Sequence, residues 1–266
     1  VSVAANVQSG AVDFAQVAAG TVVDRRGQSQ NAELWLPFDE GTGQSVFMDQ
    51  SGNIPTRSAT CTGGACPSAG EAGVIGTALK FDNINDVVTV AKDIDLANKS
   101  FTVAFWAQRA GTNQYDIAVG QGGRGNYASL HIGFRDNNKF TCGFYADDLD
   151  SATAYTDANW HHWACTFNAA TKARVIYRDG AQIATKTGGN NYQGGGPLNI
   201  GAAGWNADYF NGSLDDVRIY ARPLSAAEVG DLAGVAAMKL NLNEPTGSFS
   251  FRDTQNAYRG MCVSLF

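Results

Sequence analysis

The chain has 266 residues, 31 of them glycine and only 6 proline, with 44% hydrophobic and 17% charged side chains. Lys+Arg 19 against Asp+Glu 25 gives a net charge of -6, which lacks the basic footprint that phosphate backbones require and argues against a general nucleic-acid binder. No run of about 18 apolar residues occurs, so no membrane span is encoded. A charged fraction below the usual ~25% and a glycine content above the usual ~7% point to a turn-rich, β-dominated protein.

Residues 1–30 are small and polar with scattered valines, and read as a linker or the end of a preceding unit. No Lys or Arg precedes Arg25, so the opening lacks the charged start of a signal peptide and is expected to belong to a mature or excised segment. From Ala32 onward, short apolar or alternating runs recur at 33–38, 78–81, 87–90, 100–108, 117–120, 129–134, 139–145, 160–167, 174–178, 182–186, 198–201 and 213–220. Gly, Asn and Asp clusters separate them, which predicts many short strands packed as a sandwich or barrel. Gly120-Gln-Gly-Gly-Arg-Gly125 matches a dinucleotide fingerprint, but a strand-like run follows where a helix is needed, so it reads as a glycine-rich hairpin loop. Asp179-Gly180 is a type I′ hairpin signal. One helix is predicted over 225–232, opened by a Ser225/Glu228 capping box and followed by Gly234.

Two segments repeat. Residues 36–49 align with 240–253 without a gap, at an offset of 204, with Leu36, Glu40, Thr42, Gly43, Phe47 and Asp49 matched by Leu240, Glu244, Thr246, Gly247, Phe251 and Asp253. The chain is therefore expected to hold one complete unit, 31–235, and the opening strands of a second, 236–266. Those terminal strands could pair with copies of the same chain by strand addition.

Five cysteines occur, without the paired spacing of a zinc site. Cys61 and Cys66 flank a four-residue loop, and Cys142 and Cys165 lie in strand-like runs one connection apart, where neighbouring strands could face each other across a ladder. Cys61–Cys66 and Cys142–Cys165 disulfides are expected, with buried free thiols as the alternative. Such bridges point to an oxidising, extracellular or cell-surface setting. Cys262 is left over. Asn98-Lys-Ser100 and Asn211-Gly-Ser213 have the form of glycosylation acceptors.

Leu34-Trp-Leu-Pro-Phe-Asp-Glu-Gly-Thr-Gly43, Asp49-Gln-Ser-Gly-Asn53, Gly76-Thr-Ala-Leu-Lys-Phe-Asp82, Phe101-Thr-Val-Ala-Phe-Trp106, Trp160-His-His-Trp-Ala164 and Asn211-Gly-Ser-Leu-Asp-Asp-Val-Arg-Ile-Tyr220 occur in an order and spacing that resemble laminin G-like domains of the concanavalin A-like lectin/glucanase superfamily. The resemblance spans about 200 residues and implies an all-β jelly roll of two antiparallel sheets with one short C-terminal helix. It further implies an extracellular module, often in tandem, that binds glycans or extracellular proteins or serves as a structural subunit. A fold of this kind does not name its ligand.

Related jelly rolls often hold a structural calcium near an early Phe-Asp-Gly-x-Asp-Asp segment and the late Asp-Asp-Val segment. Carried onto this chain, the resemblance implies calcium at Asp82, Asn85, Asp86 and Asp215, Asn85 replacing an acidic residue and Asn83 a glycine. The alternative is that these residues bond turn backbones.

Jelly-roll glucanases place paired carboxylates on one strand, and the Glu-x-Asp-x-x-Glu pattern is absent. Asp147, Asp148 and Asp150 read as a solvated loop, and no Gly-x-Ser-x-Gly elbow is present. His161 and His162 are expected to point to opposite faces of a strand in structural roles. A non-catalytic role follows. Exposed loop aromatics are the usual platforms for the C–H faces of sugars, which nominates Tyr145, Tyr155, Tyr192, Trp205 and Tyr209, with Arg124 and Asp148 beside them. Trp35, Trp106 and Trp163 sit in apolar runs and read as core.

Overall fold

In the computed structural model, residues 31–234 are described apart from 55, 91–93 and 206. Outside that span only the backbone of short antiparallel ribbons is described: Val3–Ala4 with Ser264–Leu265, Thr21–Val22 with Met238–Lys239, and Phe249–Arg252 with Tyr258–Met261. The second copy of the repeat lies outside the described residues except for Phe249–Arg252, as do Cys262 and most of 1–30.

Two antiparallel sheets pack face to face, as the jelly-roll expectation requires. The first contains β2 (Val46–Phe47), β3 (Ala59–Thr60), β6 (Val88–Val90), β8 (Asp116–Gln121), β9 (Leu130–Phe134), β10 (Lys139–Gly143), β11 (Asp148–Ala154) and β15 (Leu198–Ile200), in the order β11-β10-β9-β8-β15-β6-β3-β2. The second contains β1 (Ala32–Leu36), β4 (Ser68–Ala72), β5 (Thr77–Asp82), β7 (Phe101–Arg109), β12 (His161–Phe167), β13 (Ala173–Arg178), β14 (Ala181–Thr187) and β16 (Asn211–Tyr220). Its order is β14-β13-β12-β7-β16-β5-β4, with β1 beside the later half of β16.

Period-two alternation explains why these runs form strands. Phe101, Val103, Phe105 and Ala107 of β7 and Trp163, Cys165 and Phe167 of β12 face Leu130, Ile132 and Phe134 of β9 and Phe140 and Cys142 of β10. Trp163 from one sheet stacks on Phe140 from the other, ring centroids 4.2 Å apart and 8° from parallel. The Cys142–Cys165 disulfide is present, but between β10 and β12, in opposite sheets. It staples the sandwich through its core instead of bridging one ladder, because both cysteines occupy inward positions of their strands. Cys61–Cys66 closes its short loop as expected.

The outer face of the second sheet is roofed by α1 (Ala226–Ala233). Ser225 Oγ accepts from the Glu228 amide at 3.3 Å, and Glu228 Oε2 accepts from the Ser225 amide at 2.8 Å, so the capping box forms. Val229 and Leu232 pack on Trp35, Ala104, Ala164, Tyr177 and Tyr220, each such apolar side chain contributing about 1.5–3 kcal/mol. The free edge of β1 is blocked: Asn53 Nδ2 donates to the Ala32 and Glu33 carbonyls at 2.8 and 3.1 Å. His162 lies buried on this outer face against Trp106. His161, on the sandwich side, reaches the rim and meets Asp157 and Asp179, each at 2.7 Å.

Two expectations are corrected. Strands β2, β3, β4 and β11 were not among the predicted runs, since they are short or built from small and acidic residues. Asp147–Asp150 is no solvated loop: Asp147 is buried and Asp148 and Asp150 sit on edge strand β11, two residues apart on one face.

Candidate functional site

The outer face of the first sheet carries a cleft of about 370 Å³, within the usual range for ligand sites. Its floor is a row across three strands. His131 of β9 pairs with Gly143 of β10, and Gly143 with Asp148 of β11. Residues two strands apart are about 10 Å apart in backbone, yet His131 Nε2 lies 3.5 Å from Asp148 Oδ1. They meet over Gly143, where a Cβ would collide with the imidazole. Glycine at the end of this strand marks a close approach of side chains.

Asp148 is the hub. Its Oδ1 accepts from the Phe144 and Tyr145 amides, both at 3.0 Å, and its Oδ2 from Arg135 Nη2 at 2.8 Å. Arg135 Nε donates to Asp150 Oδ1 at 2.8 Å, so one guanidinium joins both carboxylates. Burial alone would raise the Asp148 carboxyl; the hydrogen bond and charge of His131, then those of Arg135, outweigh it and hold the group well below the ordinary range. His131 Nδ1 lies 3.1 Å from the Ser129 carbonyl, which can only accept, so Nδ1 carries a proton.

Tyr145 and Ala146 form the turn between β10 and β11 with φ of 59° and 64°. Left-handed backbone at non-glycine residues costs on the order of 1–3 kcal/mol each and persists only where the surroundings over-determine it. Here Asp148 holds the turn from one side and Arg174 from beneath. Arg174, fully buried, donates through Nη1 to the Cys142 carbonyl at 3.0 Å and the Asp147 carbonyl at 2.5 Å, its guanidinium 3.6 Å from the centre of the Phe144 ring. Burial brings that guanidinium down to about 10, against the opposing pull of Asp147 and Asp148. Lys186 Nζ meets Asp147 Oδ1 at 2.6 Å. The turn therefore presents Tyr145, 43% exposed, on a fixed base.

The remaining walls come from loops. Arg124, on the glycine-rich β8–β9 loop, places its guanidinium 5.3 Å from the Trp205 ring centre, and Trp205 meets His131 edge-on. The segment carrying Trp205 and Asp208 lies directly on β8: a Cβ at Gly120 would be 2.6 Å from the Ala202 carbonyl oxygen. The Asp208 carbonyl accepts from the Ile117 amide at 3.0 Å. Tyr115, 42% exposed, lines the cleft from the β7–β8 loop.

Four of the seven nominated ligand residues, Arg124, Tyr145, Asp148 and Trp205, thus line one cleft. Tyr192 is corrected: it has no exposed surface and packs on Phe144, so it belongs to the core. Tyr155 lies elsewhere, half-buried against Trp163 and beneath Arg178. Tyr209 is half-buried and does not line the cleft. Tyr115, His131, Arg135 and Asp208 were not nominated; glycines 120 and 143, in and at the end of their strands, were the available signal that something lies close on that face.

The four residues suggested for calcium do not form one site. Asp82 Oδ1 accepts from the Ile84 amide at 2.8 Å, and Asp86 Oδ2 from the Asp82 amide at 2.9 Å, closing the turn after β5. Asp215 sits near the other end of β5, roughly 13 Å along β16 from the residue opposite Asp82. Its Oδ2 accepts from the Val74 and Ile75 amides at 2.8 and 3.0 Å. Burial, then the Asp216 charge, pushes the Asp215 carboxyl well above its ordinary value. Among the described residues, no three His, Cys, Asp or Glu side chains are grouped to hold a metal ion.

Comparisons with known proteins agree with this architecture. A laminin G family model, described as concanavalin A-like lectin/glucanases superfamily, matches residues 81–230, more than half of the chain. The chain's sequence matches no curated protein at a significant level. Domain 4 of an extracellular arabinanase from Geobacillus stearothermophilus, in complex with arabinotriose, is similar with a TM-score of 0.59 and 19% identity over 76% of this chain and 98% of that one. The binding domain of Paraclostridial Mosquitocidal Protein 1 gives 0.56 and 21%, over 78% of this chain and 52% of that one. Trypanosoma rangeli sialidase gives 0.55 and 16%, over 76% and 33%. These likenesses establish the fold.

Proposed function

We propose that this chain, which belongs to the concanavalin A-like lectin/glucanases superfamily, is a non-catalytic extracellular carbohydrate-binding module whose glycan sits in the cleft on the outer face of the first sheet. The observation that carries this is the gathering of Tyr115, Arg124, His131, Tyr145, Asp148 and Trp205 around one open cleft. Two exposed aromatic rings offer faces for sugar C–H groups, and fixed polar groups between them can orient hydroxyls. The arabinanase domain that holds arabinotriose supports a glycan as the ligand class. Two disulfides support an extracellular setting, and no described helix is long and apolar enough to cross a membrane.

A binding role fits better than hydrolysis. A glycosidase needs one carboxyl of its pair raised so that it can donate a proton. Asp148 is held low, and it and Asp150 share Arg135. A carboxylate held low in this way, bonded to a guanidinium, is not poised to deliver a proton.

A glycan array probed with the full chain tests the reading. Binding to at least one glycan series is expected, lost in Tyr145→Ala while the melting temperature holds, with no reducing sugar released. A folded protein that binds no glycan, or binding unchanged in Tyr145→Ala, would overturn it.

A further inference from the structure

We infer that the cleft recognises a stretch of glycan chain at least two sugars long, crossing the strands obliquely from β8 to β10, and not a single terminal sugar; this rests on the carbohydrate reading above. The two exposed tyrosines sit at opposite ends of the cleft. Tyr145 follows Gly143, which pairs with His131 near one end of β9. Tyr115 precedes Asp116, which pairs with Phe134 at the other end of β9. Three residues of strand separate those rows, about 10 Å, and β8 and β10 lie on opposite sides of β9, about 10 Å apart, so the tyrosines face each other diagonally. A single sugar ring is too short to touch both tyrosines.

Each tyrosine also has its own polar companion. At the Tyr145 end stands Arg124, whose guanidinium rests on Trp205 and has no carboxylate partner among the described residues. At the Tyr115 end stands Asp208, held by its carbonyl to Ile117, with no side-chain partner among the described residues. Arg135, by contrast, is taken up by Asp148 and Asp150 and supports the floor. An aromatic face with a free hydrogen-bonding group, present twice along one trough, makes two subsites in series. His131, on β9 between the strands that carry the two tyrosines, lies on the floor towards the Tyr145 end.

An array printed with mono-, di-, tri- and hexasaccharides of neutral and acidic series tests this with the full chain. Binding is expected to appear at the disaccharide or longer and to strengthen from mono- to trisaccharide by at least tenfold. Tyr115→Ala is expected to weaken the trisaccharide about tenfold, the scale of one lost anchor, and to remove the gain with chain length while shorter sugars keep their affinity. A monosaccharide bound as tightly as its trisaccharide, or a chain-length gain that survives Tyr115→Ala, would overturn the two-subsite proposal and leave the carbohydrate reading standing. No binding at any length would overturn both.

Discussion

The outer faces of the two sheets started from similar material and were finished differently. Behind the second sheet, Trp35, Arg218, Asp216, His162 and Trp106 are all buried, and α1 closes over Trp35, Ala104 and Tyr220. Its charges are spent inward: Asp216 accepts from Trp35 Nε1 at 2.5 Å and pairs with Arg218 at 3.0 Å. Behind the first sheet, no helix among the described residues covers His131, Asp148 and Arg135, and two tyrosines stand more than 40% exposed. The roofed face invests its polar groups in stability, and on the proposed reading the open face keeps some free for a glycan. Changes on the roofed face should therefore move stability and leave glycan binding alone, and changes on the bare face should do the reverse.

The largest effect is expected from Trp35→Ala. The indole is 5% exposed, packs under α1 and lies 4.7 Å beneath the Arg218 guanidinium. Its loss should cost about 3–5 kcal/mol by denaturant unfolding, in the range for large aromatics cut to alanine. Glycan affinity measured well below the new melting temperature should match the parent. A tenfold loss of affinity would show that the two faces are coupled through the sandwich.

The pH dependence of His162 comes next. Burial, reinforced by Arg218 and opposed by Asp216, brings this imidazole down from 6.5 to about 4. Between those values the unfolded chain binds the proton and the folded one refuses it, so stability falls as pH drops from 6.5 towards 4. The loss reaches about 3 kcal/mol at the lower end. Asp215, raised by burial, has the opposite slope, because the folded chain takes up its proton first. The test is therefore the difference between parent and His162→Gln unfolding free energies at pH 7 and pH 4.5; equal differences at both would refute the assignment. Asp148, held low in the fold, adds to the same slope only near the bottom of this window, where the unfolded carboxylate begins to take up its proton; the parent–variant difference cancels it.

How much of this contrast could be read beforehand depended on which forces leave a local trace. Alternation such as Phe101, Val103, Phe105 and Ala107 marks a strand that packs on one face, and the Ser225/Glu228 box marks a helix start, so both were legible. β11 was not, because Asp148-Leu-Asp-Ser-Ala-Thr-Ala154 is held by pairing with β10 and not by its own apolar pattern. The cysteine pairs were legible, but not that one of them crosses between sheets, since that depends on which face each strand turns inward. Tyr145, Trp205 and Arg124 could be nominated from loop position. Tyr115 and Asp208 could not, for they reach the cleft from loops far apart in the chain.

On the bare face, Gly143→Ala should separate the two roles. The added Cβ collides with the His131 ring and would lie 2.6 Å from Asp148 Oδ1, so one of the two side chains must swing away. Because both can move towards solvent, the stability cost should stay near the low end of about 1–3 kcal/mol for overpacking. Glycan affinity should fall at least tenfold, as the Tyr145 turn loses the Asp148 carboxylate that holds its amides. Titration calorimetry beside a thermal melt decides this; a large loss of stability with unchanged affinity would place the His131–Asp148 row in the scaffold and not in the site.

The smallest effect sharpens the contrast from the other side. Ser225→Ala removes the hydroxyl that accepts from the Glu228 amide, and loss of such a cap costs about 1 kcal/mol. Only one helix roofs the second sheet among the described residues, and its capping residue touches neither the core nor the cleft. The change should therefore lower the melting temperature slightly and raise amide exchange along 226–233 without altering exchange in β9 or β10. Affinity for glycan should be unchanged, because the helix and the cleft are separated by both sheets and the core between them. If loosening α1 altered exchange at His131 or Gly143, the roof would be transmitting its state through the staple between Cys142 and Cys165, and the division of labour between the faces would fail.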